Sequence, residues 1–322
     1  MTSTPRSNAL RVVVTGANGY LGERFADAAE ARGWSVVRCG RRPGASGAWH
    51  RLADLDAASV RALPLDCDAV VHFAALAHRY PPNAPSAAEY RRVNAFGTQH
   101  LAQAARGRAR ALVFVSSVAA VGLPSDGIIS ATTPARPTTP YGEAKLLGEA
   151  LARDALEGSS TGLRVVRLPA VYGAGSPGAV GHLGRWVSRG LPVPSCCREA
   201  RRSIVSVDNA IDAIATIAAD ARFDGRTALP TDGPAIDMLD LAGRIARALG
   251  VRLRVVPCPM ALMRAVAAAA KSVGQDKGPI GKAVARLVEQ SVIEDDSMAR
   301  VAGWRPPCSI DESLARAFRR PR

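Results

Sequence analysis

A tyrosine and a lysine one helical turn apart are the residues in this chain best suited to move a proton. They stand in Tyr141-Gly142-Glu143-Ala144-Lys145, on a helix read over 141–156 with Thr139 as N-cap and Pro140 at its first position. The i, i+4 spacing puts Tyr141 and Lys145 on one face. A phenol titrates near 10, too high to exchange protons at neutral pH. A neighbouring ammonium and the helix N-terminus both favour the phenolate, so the pattern predicts a lowered Tyr141 pKa. A fall of about three units needs roughly 4 kcal/mol, the scale that a close cation in a partly dry site supplies. Ser116-Ser117 closes an apolar strand over 111–116. A hydroxyl at the carboxyl end of such a strand can hold a substrate oxygen beside the tyrosine. On its own a Tyr-x-x-x-Lys pair reads equally as an exposed helix pair, so its meaning depends on what surrounds it.

The second chemical signal is Thr15-Gly16-Ala17-Asn18-Gly19-Tyr20-Leu21-Gly22, between the apolar run Leu10–Thr15 and a helix over 20–32. Gly16 allows a tight turn, Gly19 lets backbone approach a pyrophosphate, and Gly22 lets the helix pack close to the sheet. The free N–H groups and positive dipole end of the helix then face that anion. This context reads as dinucleotide binding. The next strand, 35–39, ends in Gly40-Arg41-Arg42, and no Asp or Glu occurs between Val36 and Ala53. An acid near this point would hold a ribose 2′-hydroxyl. Arg41 and Arg42 suit a 2′-phosphate instead, which favours NADP(H), with NAD(H) as the alternative.

The elements that must position these groups follow from periodicity. Short β-branched runs at 10–15, 35–39, 68–73, 111–116 and 163–168 alternate with helical stretches at 20–32, 89–106 and 141–156. Alternation with crossover-length connections predicts an α/β fold with a Rossmann-like, doubly wound parallel sheet. After Pro169 the pattern loosens, with Pro and Gly at 173–178 and 190–194 and helical stretches near 208–220, 237–249 and 260–271. The expected division is a dinucleotide-binding domain over 8–172, to which 203–220 returns, and a smaller, mostly helical substrate-binding domain over 173–322.

Composition narrows the classes. The chain has 322 residues, 48% hydrophobic and 22% charged, with a formal net charge of +14. That is ordinary globular material, not a disordered, collagen-like or coiled-coil chain. The positive charge is scattered, with no aromatic-interleaved stripe, so no nucleic-acid partner is expected. The surplus makes anionic ligands such as phosphates more plausible than cationic ones. The six Cys form no C-x-x-C, and the five His are dispersed, so no metal site is expected. His72 and His78 lie in an apolar run and read as structural. The thiols read as reduced and the compartment as cytoplasmic. The stretch MTSTPRSNA has no apolar core of a signal peptide. Met260–Ala270, broken by Arg264, is too short to span a bilayer. It reads as a core or domain-packing helix rather than one lying on a membrane surface.

Together these residues resemble the extended short-chain dehydrogenase/reductase family, in its sugar-nucleotide epimerase/dehydratase/reductase branch, over nearly the whole chain. The glycine motif stands at 15–22. Asp54-Leu55 resembles the family's adenine-contacting pair, and Phe73, Ala74, Ala75 and Leu76 its cofactor segment after the fourth strand. Asn94 matches the structural asparagine of the active-site helix, and Ser117, Tyr141 and Lys145 match the catalytic triad. Pro169 and Val171, in Arg167-Leu168-Pro169-Ala170-Val171-Tyr172-Gly173, match the segment beside the nicotinamide. Arg202 opens Arg202-Ser203-Ile204-Val205-Ser206-Val207-Asp208-Asn209, whose arginine in the family grips the substrate diphosphate. Gly303-Trp304-Arg305-Pro306 resembles the family's terminal motif. The resemblance is strongest to bacterial surface-polysaccharide 4-epimerases and 4-ketoreductases acting on UDP-N-acetylhexosamines. It implies a nucleotide-sugar substrate and a homodimer paired through the helices at 89–106 and 141–156. Val118-Ala119 stands where a dehydratase has Asp-Glu, which argues against dehydration. Leu168-Pro169-Ala170 replaces the substrate-binding Asn segment of UDP-glucose 4-epimerase. The expectation is an NADP(H)-dependent C4 ketoreductase, with an NAD-dependent 4-epimerase as the alternative. A non-catalytic dinucleotide sensor is a distant third, since a sensor does not need an activated tyrosine.

Overall fold

Strict alternation along the first strand shows how the core is built. In a computed structural model of the chain, which describes residues 9–44, 47–77, 84–272 and 290–319, Val12 and Val14 face one side of a sheet and Val13 the other. Both sides are buried, so the strand reads as a continuous apolar run, as parallel strands do. The sheet has seven strands: β1 (Arg11–Thr15), β2 (Ser35–Gly40), β3 (Ala48–Arg51), β4 (Ala69–His72), β5 (Ala111–Ser117), β6 (Gly162–Leu168) and β7 (Thr227–Ala228). Their order is β7-β6-β5-β4-β1-β2-β3 and every pairing is parallel. The chain therefore changes direction across the sheet between β1 and β4. There the loops at the carboxyl ends diverge and leave a crevice, the usual ligand position of such sheets.

The helices Tyr20–Ala31 and Val207–Ala219 cover the face of Val12 and Val14, burying Phe25, Ala26, Ala210 and Ile214. The helices Gly97–Ala105 and Pro140–Leu156 cover the other face, with Leu101, Phe114 and Ala152 in the core. Residues beyond 171 build a third cluster around Tyr172, Val187, Leu241, Ile245 and Leu314. The chain comes back to the sheet through the helix Val207–Ala219 and again through β7.

Two strands of this seven-stranded sheet escaped the sequence reading. β3 has the sequence AWHR, with no branched run, and β7 is two residues long; both are sheet edges. The helix read over 89–106 begins at Ala87, held by a capping box between Ser86 and Glu89, and passes through a π-helical stretch, Arg91–Phe96, before Gly97–Ala105. The helix read over 260–271 forms as Met260–Ser272. Ala261, Leu262, Ala265, Ala268 and Ala269 are exposed. Residues 1–8 and His78, which carried expectations above, lie outside the described residues.

Candidate active site

The turn after β1 shows why its glycines are needed. Gly16 has φ +74°, and a Cβ there would lie 2.6 Å from the Ala74 nitrogen. A Cβ on Gly22 would lie 2.3 Å from the Gly16 carbonyl oxygen. Any side chain at either position would push the β1 turn away from the β4 loop or the helix away from the turn. The helix starts at Gly19, and no side chain caps its N-terminus. Its first N–H groups therefore point from bare backbone into the crevice.

The crevice is a cavity of about 320 Å³. Gly16, Asn18, Gly19, Arg41, Asp54, Leu55, Phe73, Ala74, Ala75 and Leu76 line it, all expected from the sequence. Arg92 and Val93 line it too and were not expected. Asn18 braces the rim: its amide donates to the Arg42 carbonyl (2.9 Å) and accepts from the Arg42 N–H (3.3 Å). That leaves Arg41 at the crevice, while Arg42 is exposed outside its lining. The one carboxylate among these lining residues, Asp54, is paired with Arg92 at 2.6 Å, which holds it below the usual carboxylate range. The backbone donors and the bare turn fit a nicotinamide dinucleotide.

Tyr141 is half-buried at the start of the helix Pro140–Leu156, whose N-cap Thr139 accepts from the Gly142 N–H at 3.1 Å. Ser117, the last residue of β5, hydrogen-bonds the Tyr141 hydroxyl, and the Tyr90 ring meets the Tyr141 ring edge-on at 5.7 Å. The structure corrects the expected pKa. Burial pushes Tyr141 up to about 12, only partly offset by Ser117. Lys145 does not relieve it, because its ammonium turns back to the sheet, donating to the Val115 carbonyl at 2.9 Å and lying 4.7 Å over the Phe114 ring. Lys145 is buried, and desolvation brings it down to about 8 although the Glu149 carboxylate opposes this. Tyr141 thus keeps its proton across the neutral range and is poised as an acid.

Several residues act on the site through others. Asn94 is fully buried in the π-helical stretch, and its amide grips the backbone of Leu76 from both sides, at 2.7 Å and 2.9 Å. Its bearing on a ligand runs through that loop. His72 is buried between the Thr15 and Thr98 hydroxyls, at 2.7 Å and 3.1 Å, and burial drives its pKa down to about 3. It is a neutral structural histidine. Glu149 was missed by the sequence reading. It accepts two bonds from Arg167, at 3.1 Å and 2.7 Å, and one from Ser116 at 2.5 Å. Lys145 and Glu149 are themselves an i, i+4 pair, a signal that was available.

The remaining expected residues do not line the crevice. Tyr20 lies beneath the Arg24 guanidinium, 4.0 Å from its ring centroid, and Leu21 packs on the sheet. Pro169 is buried after β6, and Val171 pairs with Val205 in a two-stranded sheet. Arg202 is half-buried on the strand Arg201–Arg202, close enough to Cys197 to act on its thiol. Asn209, at the end of the same segment, ties Asp232 to the backbone of Cys308, donating to both at 2.7 Å and 2.8 Å.

Known proteins resemble this chain over most of its length. The model of the NAD dependent epimerase/dehydratase family matches residues 12–227. A UDP-glucose 4-epimerase of Vibrio cholerae is 27% identical, with 95% of each chain covered. A 4-hydroxy-2-methyl-3-oxo-4-farnesyl-3,4-dihydroquinoline-1-oxide ketoreductase of Stigmatella aurantiaca is 28% identical over 92% of each chain. Among solved structures, the Bordetella bronchiseptica enzyme WbmG in complex with NAD and UDP shares the fold with a TM-score of 0.75. It is 18% identical, with 98% of this chain and 94% of that one covered.

Proposed function

The chain belongs to the NAD dependent epimerase/dehydratase family, and on that premise we propose that it is an enzyme acting at C4 of a nucleotide-linked sugar with a nicotinamide dinucleotide. The finer reading is an NADP(H)-dependent 4-ketoreductase in the synthesis of surface-polysaccharide precursors. One observation carries it: the Ser117–Tyr141 hydrogen bond holds a protonated phenol at the end of β5, two strands from the bare glycine turn. The domain division expected from the sequence belongs to this proposal, with the sugar nucleotide between the 8–172 and 173–322 parts and its diphosphate on Arg202.

Gly16, Asn18, Gly19, Phe73, Ala74, Ala75 and Leu76 would hold the cofactor in the crevice, and Arg41 would pair with its 2′-phosphate. When bound, the cofactor supplies the hydride that C4 receives. Tyr141 gives its proton to the developing alkoxide oxygen, so the ketone becomes an alcohol and the phenolate regains a proton from solvent. Ser117 donates a hydrogen bond to the same oxygen, strongest as negative charge builds. Lys145, held against the Val115 carbonyl one turn along the helix from Tyr141, would reach the nicotinamide ribose.

A second reading, an NAD-dependent 4-epimerase, is favoured by the Vibrio cholerae relative. It requires Tyr141 first to take a proton from the C4 hydroxyl, a step opposed by a phenol pushed up to about 12. Denaturing the purified protein and measuring released cofactor separates the two. The reductase yields an empty site that binds NADPH; stoichiometric NAD(H) in the extract would establish the epimerase.

A further inference from the structure

The helix Ala179–Ser188 buries Val180, Gly184 and Val187 and leaves Trp186 47% exposed. The indole is fixed in that position, because its N–H donates to the Pro192 carbonyl at 3.0 Å. The Leu191 N–H donates to the Trp186 carbonyl at 3.3 Å, so exposed Leu191 lies beside it. The chain then forms Val193–Pro194, which pairs in parallel with Val255–Val256, and both valines of the second strand are exposed. Four residues later the helix Met260–Ser272 begins, and Leu262 is 55% exposed. Trp186, Leu191, Val255 and Val256 thus lie on segments joined by hydrogen bonds and backbone pairing, and Leu262 follows six residues further along the chain.

The described Lys, Arg, Asp and Glu residues on these segments carry one sign. Arg185, Arg189, Arg252 and Arg254 are exposed on the same segments. No Asp or Glu occurs over 158–198 or over 241–275. We infer that the surface of Trp186, Leu191, Val255, Val256 and Leu262, with its arginine rim, rests on the face of an anionic lipid bilayer. An amphipathic indole, aliphatic side chains and a basic border are what that interface selects. A second copy of the chain is a poor occupant, because its arginines would meet these with like charge. The attachment is peripheral. The helix Met260–Ser272 has 13 residues, and among the described residues no helix is long and apolar enough to cross a membrane. The inference does not depend on which reaction the crevice performs.

Vesicle sedimentation tests it, with phosphatidylcholine alone against phosphatidylcholine containing one-third phosphatidylglycerol. Each arginine near an anionic surface contributes about fivefold (about 1 kcal/mol) to binding. The parent protein should sediment with the anionic vesicles only, and less so as salt rises. Trp186→Ser with Leu262→Ser, and separately Arg252→Glu with Arg254→Glu, should each lower partitioning at least tenfold, with native circular dichroism and unchanged turnover in solution. Equal sedimentation on both vesicles, none on either, or folded double variants that bind like the parent would overturn the inference. So would an oligomer that the Trp186/Leu262 variant splits without change in vesicle binding; the face would then be a contact between copies.

Discussion

Replacing Glu149 with leucine would leave the Arg167 guanidinium inside the protein without its counter-charge. The Glu149 and Arg167 side chains are 5% and 9% exposed, and two hydrogen bonds join them. Breaking such a pair by removing one partner costs about 3–5 kcal/mol, because a buried charge is left uncompensated. Against a typical stability of about 5–15 kcal/mol, that is a third or more in many proteins. Glu149→Leu with Arg167→Met removes both charges and leaves the Ser116 hydroxyl without its acceptor, a loss of about 1–3 kcal/mol. The double variant should therefore be more stable than either single one. Urea titrations followed by tryptophan fluorescence supply the three free energies. The reasoning fails if either single change costs less than about 1 kcal/mol, or if the double variant's loss equals the sum of the singles.

Arg41→Ala should weaken NADPH at least tenfold and NADH little, since a charge-assisted bond contributes about 1.5–3 kcal/mol; Arg42→Ala should do little to either. Fluorescence titration measures both, and equal losses for the two cofactors would place Arg41 off the phosphate. His72 gives a pH signature. Its folded pKa lies near 3, below the ordinary 6.5, so the unfolded chain takes up a proton first as pH falls. Its contribution is complete above pH 6.5 and is lost toward pH 3, by about 1.4 kcal/mol per unit. His72→Gln should flatten the slope of stability against pH between 6.5 and 4.5 by one proton; identical slopes would contradict the assignment. Phe96 is exposed on the helix that packs against Pro140–Leu156, consistent with pairing to a second copy there. Light scattering should give a dimer at micromolar concentration that Phe96→Asp weakens, and a monomeric parent would end that expectation.

The glycine turn and the buried strands were legible because each is local: a φ of +74° needs glycine, and a strand covered on both faces needs consecutive apolar residues. β7 is two residues long at a sheet edge, and nothing in Thr227-Ala228 announces it. Spacing put Tyr141 and Lys145 on one face but could not say where the lysine points. The Val115 carbonyl, 30 residues away in sequence, captures the ammonium and reverses the expected pKa. Glu149 was overlooked because its importance comes from burial against Arg167, on a strand that only the fold brings near. Arg92 reaches the crevice through a π-helical stretch that no periodicity of 3.6 anticipates.

Isotope transfer tests the central claim most directly. The protein is incubated with a UDP-4-keto-6-deoxy-hexose and NADPH deuterated at the transferable position, and the product sugar is analysed by NMR. The account predicts one deuterium at C4, and no transfer from Tyr141→Phe although that variant still binds NADPH. Unchanged substrate with the parent enzyme, deuterium at another carbon, or undiminished transfer by Tyr141→Phe would contradict it.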